Sequence, residues 1–164
     1  MEWRNIILRI SVVVTTYNGK MHLEKQLLSL LQQERSPDEV LIFDDGSTDG
    51  TIELVQSFIR KNCLESWQFY VNAKRKGWKQ NFMEGLRKAA GDILFPCDQD
   101  DIWYPKKLAE MTAVMEQHPE IKLLACDYRV LYEPGALKAT VYKKTPAETQ
   151  GLITRYGFTK HFFM

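Results

Sequence analysis

The run Ile10-Ser11-Val12-Val13-Val14-Thr15 is β-branched at five of its six positions and has little to turn toward water. Such a run suits a strand covered on both faces, which is the situation of strands in a largely parallel sheet layered by helices. The rest of the chain supplies what that sheet needs. Leu23, Leu27 and Leu30/Leu31 recur at helical spacing, so an amphipathic helix is expected from about Met21. Val40-Leu41-Ile42-Phe43 reads as a second strand that ends at Asp44-Asp45, and Ile52, Val55, Phe58 and Ile59 as the next helix. A third strand spans Trp67 to Val71, a third helix carries Phe82, Leu86, Ala89 and Ala90, and a fourth strand, Ile93 to Cys97, runs straight into Asp98. A helix through Leu108, Met111 and Met115 follows, with Pro105 near its start, and a further strand is expected over Leu123 to Tyr132. Strands alternating with helices in this way predict an α/β fold with a mostly parallel central sheet.

Composition agrees with a chain that buries a core. Hydrophobic residues make up 45% of the 164, and 22 lysines and arginines against 21 acids leave a formal net charge of +1. Nucleic-acid binding, which usually shows a basic excess, is not expected. The run Ile6 to Val14, interrupted by Arg9 and Ser11, is too short to span a bilayer. Cys63, Cys97 and Cys126 are odd in number and widely separated, which points to small buried residues in a reducing compartment. The chain stops on Phe162-Phe163-Met164, an aromatic ending that suggests a piece of something longer.

In open α/β sheets ligands bind at the carboxyl ends of the strands. Three expected strand ends carry polar groups: Thr15-Thr16-Tyr17-Asn18, Asp44-Asp45 and Asp98-Gln99-Asp100-Asp101. Asp98 and Asp100 stand one residue apart, and carboxylates so close repel unless a cation lies near. Mg²⁺ or Mn²⁺ takes oxygen ligands and leaves positions for water and phosphate, so a diphosphate would complete the shell. Solvated turn acids are the plain alternative. An EF-hand does not fit, because Trp103 stands where its loop needs glycine. Asp44-Asp45 could accept from a base N–H or a ribose hydroxyl, or could cap the following helix beside Ser47, Thr48 and Asp49. Tyr17 suits stacking on a nucleobase or packing after a buried strand. In the basic stretch Lys74, Arg75, Lys76 and Lys79, Lys74 and Arg75 read as solvated charges, whereas Lys79 stays open as a diphosphate contact. No G-x-G-x-x-G and no P-loop motif is present.

The ordered set Val12–Gly19 (VVVTTYNG), Pro37–Val40 (PDEV), Asp44–Thr51 (DDGSTDGT), Ala89–Leu94 (AAGDIL) and Asp98–Leu108 (DQDDIWYPKKL) resembles family 2 glycosyltransferases of the GT-A fold. The DQDDIW form is similar to the bacterial rhamnosyltransferase-like branch that builds cell-surface polysaccharides. The resemblance implies an inverting transfer from a nucleoside-diphosphate sugar, UDP- or dTDP-linked, to a hydroxyl of a glycan or lipid-linked acceptor. It implies that Thr15, Tyr17, Asp44, Asp45, Lys79 and Asp98 bind the nucleotide sugar, and that Asp98 and Asp100 hold Mg²⁺ or Mn²⁺. Residues 1–133 would be the nucleotide-sugar and metal core, and 134–164 the incomplete start of an acceptor side. The general base is expected beyond residue 164, with Asp127 matching only an acid common after the following strand. A fragment of this kind would bind nucleotide and metal but transfer sugar poorly. A cytoplasmic location, with peripheral association at the inner face of a membrane, goes with the resemblance. A non-catalytic nucleotide-sugar-binding module and a nucleotidyltransferase are the alternatives, the latter disfavoured because Gly19-Lys20 replaces its glycine-rich basic loop poorly.

Overall fold

The structure, a computed structural model, describes residues 8–128. Its centre is β1, Ile10–Thr16, whose seven residues are all buried. β1 pairs in parallel with β2, Glu39–Asp44, on one side and with β4, Ile93–Asp98, on the other. β3, Trp67–Val71, adds in parallel to β2, giving the order β3-β2-β1-β4. The chain therefore builds outward from β1 to β3, then returns to pair β4 on the other side of β1. The loops after β1 and β4 diverge at that reversal, and ligands of open parallel sheets bind in the crevice so formed.

Helices α1 (Lys20–Leu31), α2 (Thr51–Lys61) and α3 (Trp78–Lys88) connect the strands, and α4 (Lys107–Gln117) follows β4. α3 lies against one sheet face, where Phe82 joins Val13, Leu41 and Phe43 in a buried cluster flanked by Tyr70, Leu86 and Ala89. Its approach is close enough to require glycine: a Cβ at Gly85 would stand 2.4 Å from Val13 Cγ1. Strand alternation sends Val12, Val14, Val40 and Ile42 to the opposite face, and all four are buried. There Phe58 of α2 meets Trp67, and Trp103, ahead of α4, meets Phe95. β4 alternates buried Ile93, Phe95 and Cys97 with exposed Leu94 and Pro96. Proline lacks the N–H for a second ladder, in keeping with an edge position among the described strands.

Residues 8–113 belong to one compact unit, and a second begins at Val114. Of the second unit, the end of α4 and the stretch to Tyr128 are described. The strand expected from Leu123 does not form over 123–128, which pairs with no strand among the described residues. β-propensity alone does not hold a strand without a partner and a packed face. Positions 129–132, the 133/134 domain boundary and the aromatic ending lie outside the described residues. Among the cysteines only Cys97 is buried; Cys63, in the turn after α2, and Cys126 are exposed, contrary to the expectation for all three. No described helix is long and apolar enough to cross a membrane.

Candidate functional site

The register carries the polar residues of the strand ends to one edge of the sheet. Asp98 of β4 lies opposite Thr15 of β1, and Asp44 of β2 lies opposite Thr16. Beyond the strands, the loops after β1 and β2 cap each other. Asn18 N–H donates to Ser47 Oγ (2.8 Å) while Asn18 Oδ1 accepts from Thr48 N–H (2.9 Å). Gly19 and Lys20, at the start of α1, donate their N–H groups to Thr51 Oγ1 (3.0 Å) and Asp49 Oδ2 (3.1 Å). α1 has no side-chain cap of its own, so these side chains satisfy donors that a helix N-terminus leaves unpaired.

The adjacent acids at the end of β2 have different surroundings. Asp44 is fully buried, and its carboxylate accepts from Thr16 Oγ1 (2.7 Å), Ser47 Oγ (2.6 Å), Ser47 N–H (2.7 Å) and Gly46 N–H (3.0 Å). Those four bonds use its acceptor capacity inside the turn. Asp45 is also buried but borders the cleft described below. It accepts from Lys76 N–H (2.7 Å), Asn72 Nδ2 (3.0 Å) and Gly77 N–H (2.8 Å), and Arg75 Nε stands 3.9 Å away. Burial pushes the Asp45 carboxyl upward, but those hydrogen bonds and the Arg75 charge outweigh it and hold the group below its ordinary value.

A cleft of about 240 Å³ opens beside these groups, between the ends of β1, β2 and β4 and the start of α3. Thr15, Tyr17, Asp45 and Asp98 line it, joined by Arg75, Trp78, Asn81 and Gln99. The Arg75 guanidinium lies 3.9 Å from the centroid of the Tyr17 ring, a stacked cation–π arrangement. Asn81, buried under the cleft, donates to Phe43 carbonyl oxygen (2.8 Å) and accepts from Asn72 Nδ2 (2.8 Å).

The end of β4 is electrostatically the reverse of the end of β2. The Asp98 carboxyl is held above its ordinary value by burial and then by the Asp100 charge, against one hydrogen bond from Gln99 N–H. Asp101 is raised as well, by desolvation and then by the charges of Asp100 and Asp98, with Lys107 opposing. No ion pair reaches Asp98 or Asp100 among the described residues. Carboxylates kept close without a cation fit a divalent ion such as Mg²⁺ or Mn²⁺. Among the described residues no three His, Cys, Asp or Glu side chains converge, so Asp98 and Asp100 would be only part of such an ion's shell.

Of the residues expected from sequence, Thr15, Tyr17, Asp45 and Asp98 come together on the cleft wall, whereas Asp100 is exposed and does not line it. Asp44 is turned into the loop, and Lys79 Nζ lies 5.1 Å from the Trp78 ring centroid rather than on the wall. Arg75, read from sequence as solvated, keeps a 64% exposed side chain but also borders the cleft, as do Gln99, Trp78 and Asn81. Of these only Gln99 carried a sequence signal, its place between two motif acids.

Comparison with known proteins agrees with the fold and the motif set. The sequence matches the profile described as Glycosyl transferase family 2 over residues 11–149. The poly(ribitol-phosphate) beta-N-acetylglucosaminyltransferase TarS of Staphylococcus aureus is 30% identical over 155 residues, covering 93% of this chain and 26% of that protein. The crystal structure of S. aureus TarS 1–349 in complex with UDP is similar at a TM-score of 0.60 with 28% identity, over 68% of this chain and 33% of that one. The mannosyltransferase PcManGT from Pyrobaculum calidifontis, in complex with GDP-Man and Mn²⁺, is similar at 0.62 with 27% identity and the same coverage. The chain spans about a quarter to a half of the length of the curated relatives it matches. On the profile match and the GT-A neighbours, the chain belongs to glycosyl transferase family 2.

Proposed function

We propose that this chain is the donor-binding portion of an inverting, metal-dependent glycosyltransferase of cell-surface polysaccharide synthesis. Its donor would be a nucleoside-diphosphate sugar and its acceptor a hydroxyl of a glycan or lipid-linked molecule. The observation that carries the reading is the single cleft at the sheet's reversal point. Its wall combines an aromatic ring and a hydrogen-bonded acid, Tyr17 and Asp45, with the unneutralised Asp98. A nucleoside diphosphate is a molecule that suits that combination: a stacking, hydrogen-bonding base joined to an anion that binds through a metal. TarS was solved with UDP and PcManGT with GDP-Man and Mn²⁺, which supports a donor of this class.

The surroundings of Asp45 favour a pyrimidine. A carboxylate offers about four acceptor sites, and three are taken by Lys76, Asn72 and Gly77. The remaining one, on Oδ2, suits the single ring N–H of uracil or thymine. Guanine presents two donors on the corresponding edge and would leave one unpaired, at a penalty of about 1–3 kcal/mol. Arg75, stacked on Tyr17, would slide from the ring as the base enters and remain close to Asp45 or turn toward the diphosphate.

Asp98 and Asp100 would hold Mg²⁺ or Mn²⁺, which when bound neutralises charge developing on the departing diphosphate. Thr15 and Asp98, opposite each other in the ladder, would flank the ribose. The acid that deprotonates the acceptor is not assigned to a residue of this chain. Cytoplasmic placement beside a membrane follows from the substrate class.

Calorimetric titration with UDP, dTDP and GDP, each with and without Mn²⁺, tests the reading. Binding of at least one nucleotide is expected to need the metal and to disappear in Asp100→Ala, with UDP or dTDP ahead of GDP. Binding that ignores both the metal and the substitution would remove Asp98 and Asp100 from the site.

A further inference from the structure

The middle residue of the acidic motif has its own geometry. Gln99 Oε1 accepts from the backbone N–H of Tyr17 at 2.8 Å, and Gln99 Nε2 donates to the Tyr17 carbonyl at 3.3 Å. A side-chain amide here pairs with a backbone residue through one donor and one acceptor, as a neighbouring strand would. The last ladder pair between β1 and β4 is Thr15 with Asp98, so the Gln99 amide continues the pairing past the point where the two strands separate. It does so at the reversal of strand order, beside the cleft that Tyr17, Asp98 and Gln99 line together.

A second observation independently reserves space for this amide. Gly19 has φ −103° and ψ 9°, a conformation any residue adopts, so the backbone does not demand glycine. The surroundings do: a Cβ at Gly19 would stand 2.2 Å from Gln99 Oε1 and 2.6 Å from its Cδ. The obstructing atoms are the far end of a flexible side chain. An alanine at 19 would therefore displace the Gln99 amide and leave the fold in place.

We infer that Gln99 is a positioning residue, an amide clamp that fixes the Tyr17 loop to the Asp98–Asp100 turn so that base and metal-diphosphate subsites are held at one spacing. This rests on the donor-site reading above. With the clamp closed, the cleft is organised before ligand arrives and less ordering is left to binding. With it open, the two subsites remain but bind as loosely connected halves.

The test uses the whole chain and the tightest binder among UDP, dTDP and GDP with Mn²⁺. Gln99→Met keeps the length of the side chain and removes both hydrogen bonds; Gly19→Ala keeps Gln99 and displaces it. Each is expected to weaken nucleotide affinity about tenfold, the scale of one lost hydrogen bond, with the melting temperature within a few degrees of wild type. The double variant should bind no more weakly than either single one, because the clamp can be opened only once. Hydrogen exchange should accelerate at the Tyr17 amide while the amides of β1 keep their protection, a local signature that general destabilisation does not give. Wild-type affinity in Gln99→Met, or losses that add in the double variant, would overturn the clamp while leaving the donor site standing. A wild-type chain that binds none of the three nucleotides would overturn the donor-site reading and the clamp with it.

Discussion

The ends of β2 and β4 both present consecutive acids to the same edge of the sheet, yet the protein treats them in opposite ways. At the end of β2 both carboxylates are supplied with donors: Asp44 takes three hydrogen bonds from its own turn and one from Thr16 of β1, and Asp45 takes three from the loop before α3. At β4 Asp98 receives a single hydrogen bond from its neighbour, and no described cation pairs with it. The carboxyl of Asp45 is accordingly lowered and that of Asp98 raised. A strand end that satisfies its own charges builds the walls of a site; one that leaves them unsatisfied awaits something from solution.

The sharpest way to break this contrast is at Asp44. If it is purely structural, Asp44→Ala strips four donors of their partner and lowers stability by about 3–5 kcal/mol, read from urea unfolding. A soluble, stable Asp44→Ala chain that has lost nucleotide binding would instead make Asp44 a ligand. Next in size is Asp98→Ala, expected to weaken Mn²⁺-dependent nucleotide binding about 100-fold by calorimetry without lowering the melting temperature. Loss of fold in that variant would mean that the β4 end is as structural as the β2 end.

Acid titration separates the two ends by sign. Asp45, lowered from 3.8, contributes stability that is present above that value and is lost as pH falls through its folded pKa. Asp98, raised from 3.8, works the other way: its charge opposes folding once pH rises through its folded pKa. Asp98→Asn should therefore raise the metal-free melting temperature by about a degree or two at pH 7 and by less near pH 4. An equal gain at both values would show that the Asp98 charge is not under strain. The smallest effects concern the basic residues. Arg75→Ala should change UDP affinity several-fold and Lys79→Ala less than twofold; the reverse ranking would return Lys79 to the diphosphate.

Much of this was legible in the sequence, for physical reasons that also mark where legibility ends. The buried run of β1 and the strand ends after β2 and β4 are local patterns, and the residues that line the cleft at Thr15, Tyr17, Asp45 and Asp98 follow from them. Asp44 and Asp45 could not be told apart, since neighbouring residues leave a strand on opposite sides and only the fold says which side is the cleft. The basic run misled in the same way. α3 begins at Trp78, which carries Lys79 onto the helix, whereas the preceding loop folds Arg75 over a tyrosine 58 positions earlier in the chain. The Gln99–Tyr17 pairing spans 82 positions, and no local pattern encodes it. The strand expected from Leu123 shows the converse over 123–128, a local preference without a partner among the described residues.

The order β3-β2-β1-β4 also sets when the cleft can exist. Among the described strands β1 comes first, but its second neighbour is the last of them, so Tyr17 waits for Gln99 to be synthesised. At about 5–20 residues per second, several seconds separate the two on the ribosome. Through that interval one edge of β1 has no ladder partner and its apolar face lacks part of its cover, a state open to misdirected strand pairing. The emerging chain is thus most in need of chaperone shielding before residue 100 appears, and acquires its ligand-binding character only at the end of that wait.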